Sequence, residues 1–170
     1  MENKIIKVAF FDLDSTLTDG IYQVSSEGIV TKSFYARDFY GLYKLQDLGI
    51  DVCILTNSND GCIQKQNEKL PKVFKSRLVV RENVKDKKTY IEAGFKKYKI
   101  TFDNVVYMGD DENDLDCMRL SGITGCPVDA IEEIKAESNF ISDYPGGKGA
   151  VRDFVEYLIG LSDKGIITIT

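Results

Sequence analysis

Apolar runs of strand length alternate with helix-period segments along the chain, and that alternation restricts the fold more than any other feature. Ile5–Phe11, Ile50–Thr56 ("IDVCILT"), Arg77–Val80 ("RLVV"), Asn104–Asp110 ("NVVYMGD") and Gly122–Val128 ("GITGCPV") read as strands buried on both faces. Between the first two, Phe39, Leu42, Leu45 and Leu48 recur at helical spacing, with Asp38 placed as N-cap and Gly49 as the stop. A second helix runs to Leu70, where Pro71 breaks it, and a third spans Asp86–Tyr98. Further helices run to Ser121, over Ala130–Glu137 and over Ala150–Leu161. Ile21–Val24 and Ile29–Phe34 flank "SSEG" as a hairpin, and the tail "GIITIT" (Gly165–Thr170) alternates like a half-buried strand with no partner named by the sequence. The expectation is an α/β fold in three layers, with a mostly parallel five-stranded sheet, a β-hairpin flap and one domain over residues 1–170.

In such sheets ligands gather beyond the carboxyl ends of the strands, near the point where strand order reverses. Three of these ends are polar in a consistent way. The first gives Asp12-Leu13-Asp14-Ser15-Thr16, the second Thr56-Asn57-Ser58, and the fourth Gly109-Asp110-Asp111-Glu112-Asn113-Asp114. On extended backbone Asp12 and Asp14 share a face. Two carboxylates held together repel unless a proton or a cation intervenes. With Asp110 added from another strand, the oxygen-rich pocket suits a hard divalent ion, magnesium above all. Taken singly, each aspartate also fits a cap or a turn, and Asp111 and Glu112 suit a helix N-terminus. An EF-hand fails for "DDEND", which lacks the glycine at the sixth position and the glutamate at the twelfth.

The chain has no histidine, which removes every mechanism with a histidine base and every His-ligated zinc site. Cys53, Cys62, Cys117 and Cys126 show no CxxC spacing and read as reduced thiols. A net charge of −5 disfavours nucleic acid as a partner, and no apolar run reaches membrane-spanning length, so the expected setting is the cytoplasm.

"DLDST", "ILTN", a lysine opening the third helix and "GDDEND" together resemble the four motifs of the haloacid dehalogenase superfamily, over nearly the whole chain. Ser15 stands where that family often has glycine. The resemblance implies a Rossmann-like fold and a phosphatase. In it Asp12 is the nucleophile, Asp14 the general acid and base, and Thr56 with Asn57 holds the phosphoryl oxygens. Lys87 neutralises charge, although Lys85 and Lys88 stand in the same run. It also implies Mg²⁺ on the Asp12 and Asp110 carboxylates and the Asp14 carbonyl, with Asp111 and Asp114 behind them.

The segments between these motifs are filled by the expected elements, leaving no room for a cap domain. "YARD" (Tyr35–Asp38) and "PGGKGAVR" then resemble the capless branch acting on 3-deoxy-D-manno-octulosonate 8-phosphate and nine-carbon keto-deoxy sugar acid phosphates. That likeness implies a homotetramer, with Arg37 and Asp38 near the sugar acid and the loop of Gly147 and Lys148 approaching a site. Phe39 replaces an expected glycine, and the helix after the second motif ("CIQKQNEKL") has no arginine. Two other functions stay open: a non-catalytic oligomerisation or regulatory module, and a phosphatase of a macromolecule.

Overall fold

The structure, a computed structural model, describes residues 4–70 and 78–169. Six strands form one parallel sheet. Its centre is β2 (Val8–Phe11), flanked by β5 (Asp51–Leu55) on one side and β7 (Val105–Met108) on the other. Beyond β5 lies β6 (Leu78–Arg81), and beyond β7 lie β8 (Ile123–Cys126) and β9 (Phe140–Ile141). The chain thus builds outward from β2 in one direction, then returns to start again on the other side. The reversal point falls between β2 and β7, which is where Asp12 and Asp110 leave the sheet.

The parallel arrangement follows from the side chains. Ala9 and Phe11 pack into one apolar layer and Phe10 into the other, so β2 is apolar at every described core position. One layer is roofed by α1 (Ala36–Asp47) and α6 (Ala150–Asp163), through Leu42, Leu45, Val151, Phe154 and Leu158. Opposite lie α3 (Lys87–Tyr98), α4 (Leu115–Leu120) and α5 (Glu132–Ala136), contributing Ile91, Cys117, Met118 and Ile134. The short α2 (Cys62–Lys69) follows β5. Antiparallel β3 (Tyr22–Val24) and β4 (Val30–Lys32) form the hairpin. Among the described residues no folded insert interrupts the layers.

Some details depart from the sequence reading. The sheet has six strands rather than five, because β9 is only two residues long and carries no periodic signal. The first run divides at Lys7: β1 (Lys4–Ile6) leaves the sheet and pairs in parallel with β10 (Ile167–Ile169), which gives the tail its partner within the chain. Pro71, Arg77 and Thr170 lie outside the described residues.

Candidate active site

The first strand-end cluster is a turn. The Asp12 N–H still donates to the Met108 carbonyl at 2.9 Å, but the extended backbone stops there. The Leu13 carbonyl then accepts the N–H groups of Thr16, Leu17 and Thr18, at 3.4, 2.8 and 2.9 Å, and Ser15 adopts a φ of +60°. Leu13 and Leu17, both wholly buried, pin the turn to the core. The expected sharing of one face by Asp12 and Asp14 therefore fails for a local reason, and each aspartate has its own lysine.

The glycine loop after β9 presses on this turn. The Gly147 N–H donates to the Thr16 carbonyl at 3.0 Å, with φ at +64°. A Cβ on Gly146 would stand 1.8 Å from the Ser15 carbonyl oxygen, so only glycine permits the approach. Gly147 and the exposed Lys148 also line an open hollow of about 440 Å³ with Asp19, Ser33, Phe34 and Tyr35.

Asp12, Asp110 and Asp114 are buried, and a carboxylate oxygen from each lies within 4.8 Å of the others. Lys87, at the first turn of α3, places its ammonium 2.8 Å from Asp12 Oδ1 and 2.7 Å from Asp114 Oδ1. Lys85 is exposed and Lys88 half-buried, so among the three lysines of this run Lys87 is the one that reaches the cluster. Asp114 is fully engaged. Its Oδ1 also accepts the Tyr107 hydroxyl at 2.6 Å, and its Oδ2 accepts the backbone N–H groups of Asp110 and Asp111 at 3.1 and 3.5 Å. Asp110 Oδ1 accepts the Thr16 hydroxyl at 2.9 Å. Asp12 and Asp110 are thus the carboxylates left with lone pairs facing one another, and Asp114 orients Lys87.

Burial pushes Asp12 up to about 7, assisted by the charge of Asp114 and opposed by Lys87. Burial also pushes Asp110 up to about 8, assisted by Asp12 and Asp114. For Lys87 burial acts downward, but the charges of Asp12 and Asp114 outweigh it and hold the ammonium above the usual lysine range.

Asp14 belongs to a second, outer cluster. Its Oδ1 lies 2.7 Å from the ammonium of Lys32, at the end of β4, and its Oδ2 accepts the Ser58 hydroxyl at 2.5 Å. The same ammonium meets Asp60 Oδ2 at 2.6 Å. Thr56, buried at the end of β5, accepts the Ser58 N–H on its hydroxyl oxygen at 3.0 Å, which leaves its own proton to donate. Asn57 is exposed beside it. Sequence reasoning gave Ser58 no role beyond the polar end of its strand and passed over Lys32, Asp60 and Tyr107.

Two expected site residues do other work. Asp38 does not cap α1, whose N-cap Tyr35 makes no side-chain bond. Asp38 is fully buried, and its oxygens accept the N–H groups of Gly149 and Arg152 at 3.1 and 2.9 Å, which caps α6 and leaves no face for a sugar acid. Asp111 is exposed and caps the short 3₁₀ turn Glu112–Asp114, accepting the Glu112 N–H at 2.8 Å. Arg37 is exposed on α1.

Residues 58–153 match the family described as haloacid dehalogenase-like hydrolase. N-acylneuraminate cytidylyltransferase A of Danio rerio is 27% identical over 167 residues, covering 95% of this chain but 36% of that protein. The chain therefore spans about a third of the length of such relatives. The 3-deoxy-D-manno-octulosonate 8-phosphate phosphatase of Haemophilus influenzae is 27% identical over 171 residues, covering 98% of this chain and 91% of that one. Among solved structures, the phosphatase of that name from Moraxella catarrhalis, in complex with magnesium ion, phosphate ion and KDO, superposes with a TM-score of 0.83. It is 30% identical and covers 95% of this chain and 91% of its own. Three strand-end clusters in family order, a lysine buried against the first aspartate and a match over more than half its length agree: the chain belongs to the haloacid dehalogenase-like hydrolases, as a member built like their phosphatases.

Proposed function

We propose that this phosphatase domain, taken as one unit over residues 1–170, is magnesium-dependent. In this reading it hydrolyses a phosphomonoester of a keto-deoxy sugar acid, of the 3-deoxy-D-manno-octulosonate 8-phosphate or nine-carbon type. The observation that carries the reading is Asp12: buried at the end of the central strand, ion-paired to Lys87 and within reach of Asp110.

Three buried carboxylates around one ammonium leave negative charge in excess, and burial, assisted by that charge, shifts Asp12 and Asp110 upward. A hard divalent ion fits this donor set. Asp12, Asp110 and the Asp14 carbonyl would hold magnesium, which would supply positive charge to the phosphoryl oxygens. Asp12 attacks phosphorus, the ester P–O bond breaks, and Asp14 gives its proton to the departing alkoxide. Asp14 then takes a proton from the water that attacks the aspartyl-phosphate, releasing phosphate and restoring the Asp12 carboxylate. Thr56 and Asn57 donate to the phosphoryl oxygens and Lys87 offsets their charge. The sugar acid would occupy the hollow beside the glycine loop, with Arg37 and Lys148 as cations for its carboxylate.

The exposed apolar side chains of the hairpin, Ile21, Tyr22, Val24 and Ile29, support an assembly that covers them, a homotetramer in this reading. No helix among the described residues is long and apolar enough to cross a membrane, which fits a cytoplasmic setting. The likeness to cytidylyltransferases favours a second reading, a module attached to a sugar-activating enzyme. The intact Asp12–Lys87–Asp114 linkage counts against loss of its chemistry.

The test is a panel of phosphorylated metabolites assayed with magnesium and after chelation, using wild type and Asp12→Asn. The expected result is fastest release from a keto-deoxy sugar acid phosphate, none after chelation, and background rates in the variant. Equal rates across the panel would remove the sugar-acid assignment alone. Wild-type turnover in Asp12→Asn would remove the nucleophile.

A further inference from the structure

Lys32 is a cation without a place in the four motifs, yet it stands as close to two carboxylates as the motif lysine does. Its ammonium meets Asp14 Oδ1 at 2.7 Å, Asp60 Oδ2 at 2.6 Å and Ser58 Oγ at 3.2 Å, which fills its three N–H donors. Ser58 closes the ring by donating to Asp14 Oδ2 at 2.5 Å. Three separate segments contribute: the hairpin gives Lys32, the turn after β2 gives Asp14, and the loop after β5 gives Ser58 and Asp60.

Anchoring the hairpin requires a single counter-ion, and Asp60 supplies it. The second contact engages Asp14, the carboxylate that moves protons in the proposed reaction. A carboxylate on a turn rotates about its side-chain bonds, and proton transfer requires its oxygen within hydrogen-bond reach of the leaving oxygen. Here both carboxylate oxygens are fastened, Oδ1 by Lys32 and Oδ2 by Ser58. The hairpin that carries Lys32 has little other hold on the body. Its first strand is exposed throughout. Among the described residues, its other polar links to the body run to Cys62, whose thiol donates to the Val30 carbonyl at 3.5 Å and also meets the backbone of Lys32.

We propose that Lys32 is a positioning residue. It holds Asp14 in the orientation that protonates the leaving group, and it makes that orientation depend on the hairpin being docked. The proposal rests on the reading of Asp14 as general acid, and the substrate pair below separates the two.

An alkyl phosphomonoester needs its leaving oxygen protonated, whereas p-nitrophenolate leaves without a proton. The parameter kcat/KM reports the steps through release of the alcohol. Expected for Lys32→Met is a ~10- to 100-fold loss of kcat/KM on the alkyl ester and a change under ~3-fold on p-nitrophenyl phosphate. The retained aryl activity also shows that the variant is folded. Lys32→Arg, which keeps the charge, recovers part of the alkyl rate. In an Asp14→Asn background Lys32→Met adds no further loss, because the two act through one proton transfer. Equal losses on both esters, or losses that multiply in the Asp14→Asn background, would overturn the positioning role while leaving the phosphatase reading standing. A wild type inactive on both esters would overturn the phosphatase reading, and this proposal with it.

Discussion

The molecule contains two knots of the same composition, one lysine between two aspartates, in opposite surroundings. In the inner knot the Lys87 and Asp114 side chains are 0% exposed and Asp12 is 8% exposed. In the outer knot Lys32 is 2% exposed, but Asp60 is 13% and Asp14 34% exposed. Core elements hold the inner one: β2, β7, the start of α3 and the 3₁₀ turn. A hairpin and two loops hold the outer one. Ions excluded from water persist only when geometry and hydrogen bonds compensate for lost hydration. Tyr107 and two backbone N–H groups supply that compensation at Asp114. The inner knot is a fixed arrangement of charge, while the outer one leaves the Asp14 carboxylate open to water.

The widest gap between the knots should show on removing each lysine. Lys87→Met leaves Asp12 and Asp114 buried without their cation, and breaking such a pair typically costs about 3–5 kcal/mol. Urea unfolding of the metal-free protein checks this. Phosphatase activity should fall ~100- to 1,000-fold together with it, the usual effect of deleting a group that faces developing charge. A stability loss below about 1 kcal/mol would place Lys87 in the class of surface ion pairs and erase the contrast.

The strand-end carboxylates around the inner knot were legible in the sequence because they sit where a parallel sheet ends, whereas Lys87 and Asp114 were reached only through the family resemblance. Asp12, Thr56 and Asp110 each follow an apolar run, and strand order then brings Asp12 and Asp110 together. The outer knot was not legible. Asp14 was assigned to extended backbone, whereas the Leu13 carbonyl gathers three N–H groups and turns the chain away. Lys32 ends the second strand of a short hairpin and carries no local mark separating it from the other lysines. Asp38 failed for a similar reason. Its acidic position matched a local cap, but the N–H groups it accepts lie 111 and 114 residues further along. Local patterns encode elements and their ends; pairings between distant loops leave no periodic trace.

A second difference concerns pH. Asp12 and Asp110 stand at about 7 and about 8 in the folded chain, against an ordinary 3.8. Between those values the folded state holds protons that the unfolded state has released, so metal-free stability falls as pH rises. Asp60 behaves in the opposite sense. Burial acts upward on it, but Lys32 and the Cys62 N–H outweigh that and hold it below the usual range, so its contribution is lost only on acidification. Thermal or urea unfolding without metal should therefore show about 2–5 kcal/mol less stability at pH ~8 than at pH ~5.5. Asp110→Asn should flatten the slope. Magnesium should stabilise more at the higher pH, since it binds the ionised carboxylates. A flat metal-free profile in wild type would mean that the inner carboxylates are not held short of positive charge.

The smallest expected effect is the stability change in Lys32→Met. Asp14 and Asp60 can recover hydration once the ammonium is gone, because both retain solvent contact. The pair then belongs with partly exposed ion pairs, whose removal costs about 1 kcal/mol or less. Measured beside Lys87→Met under the same metal-free conditions, this small loss would show that identical ionic chemistry serves the fold in one place and the reaction in the other. A loss as large as that of Lys87→Met would instead make the hairpin a structural part of the domain, since ordering it would then carry as much of the stability as the buried centre does.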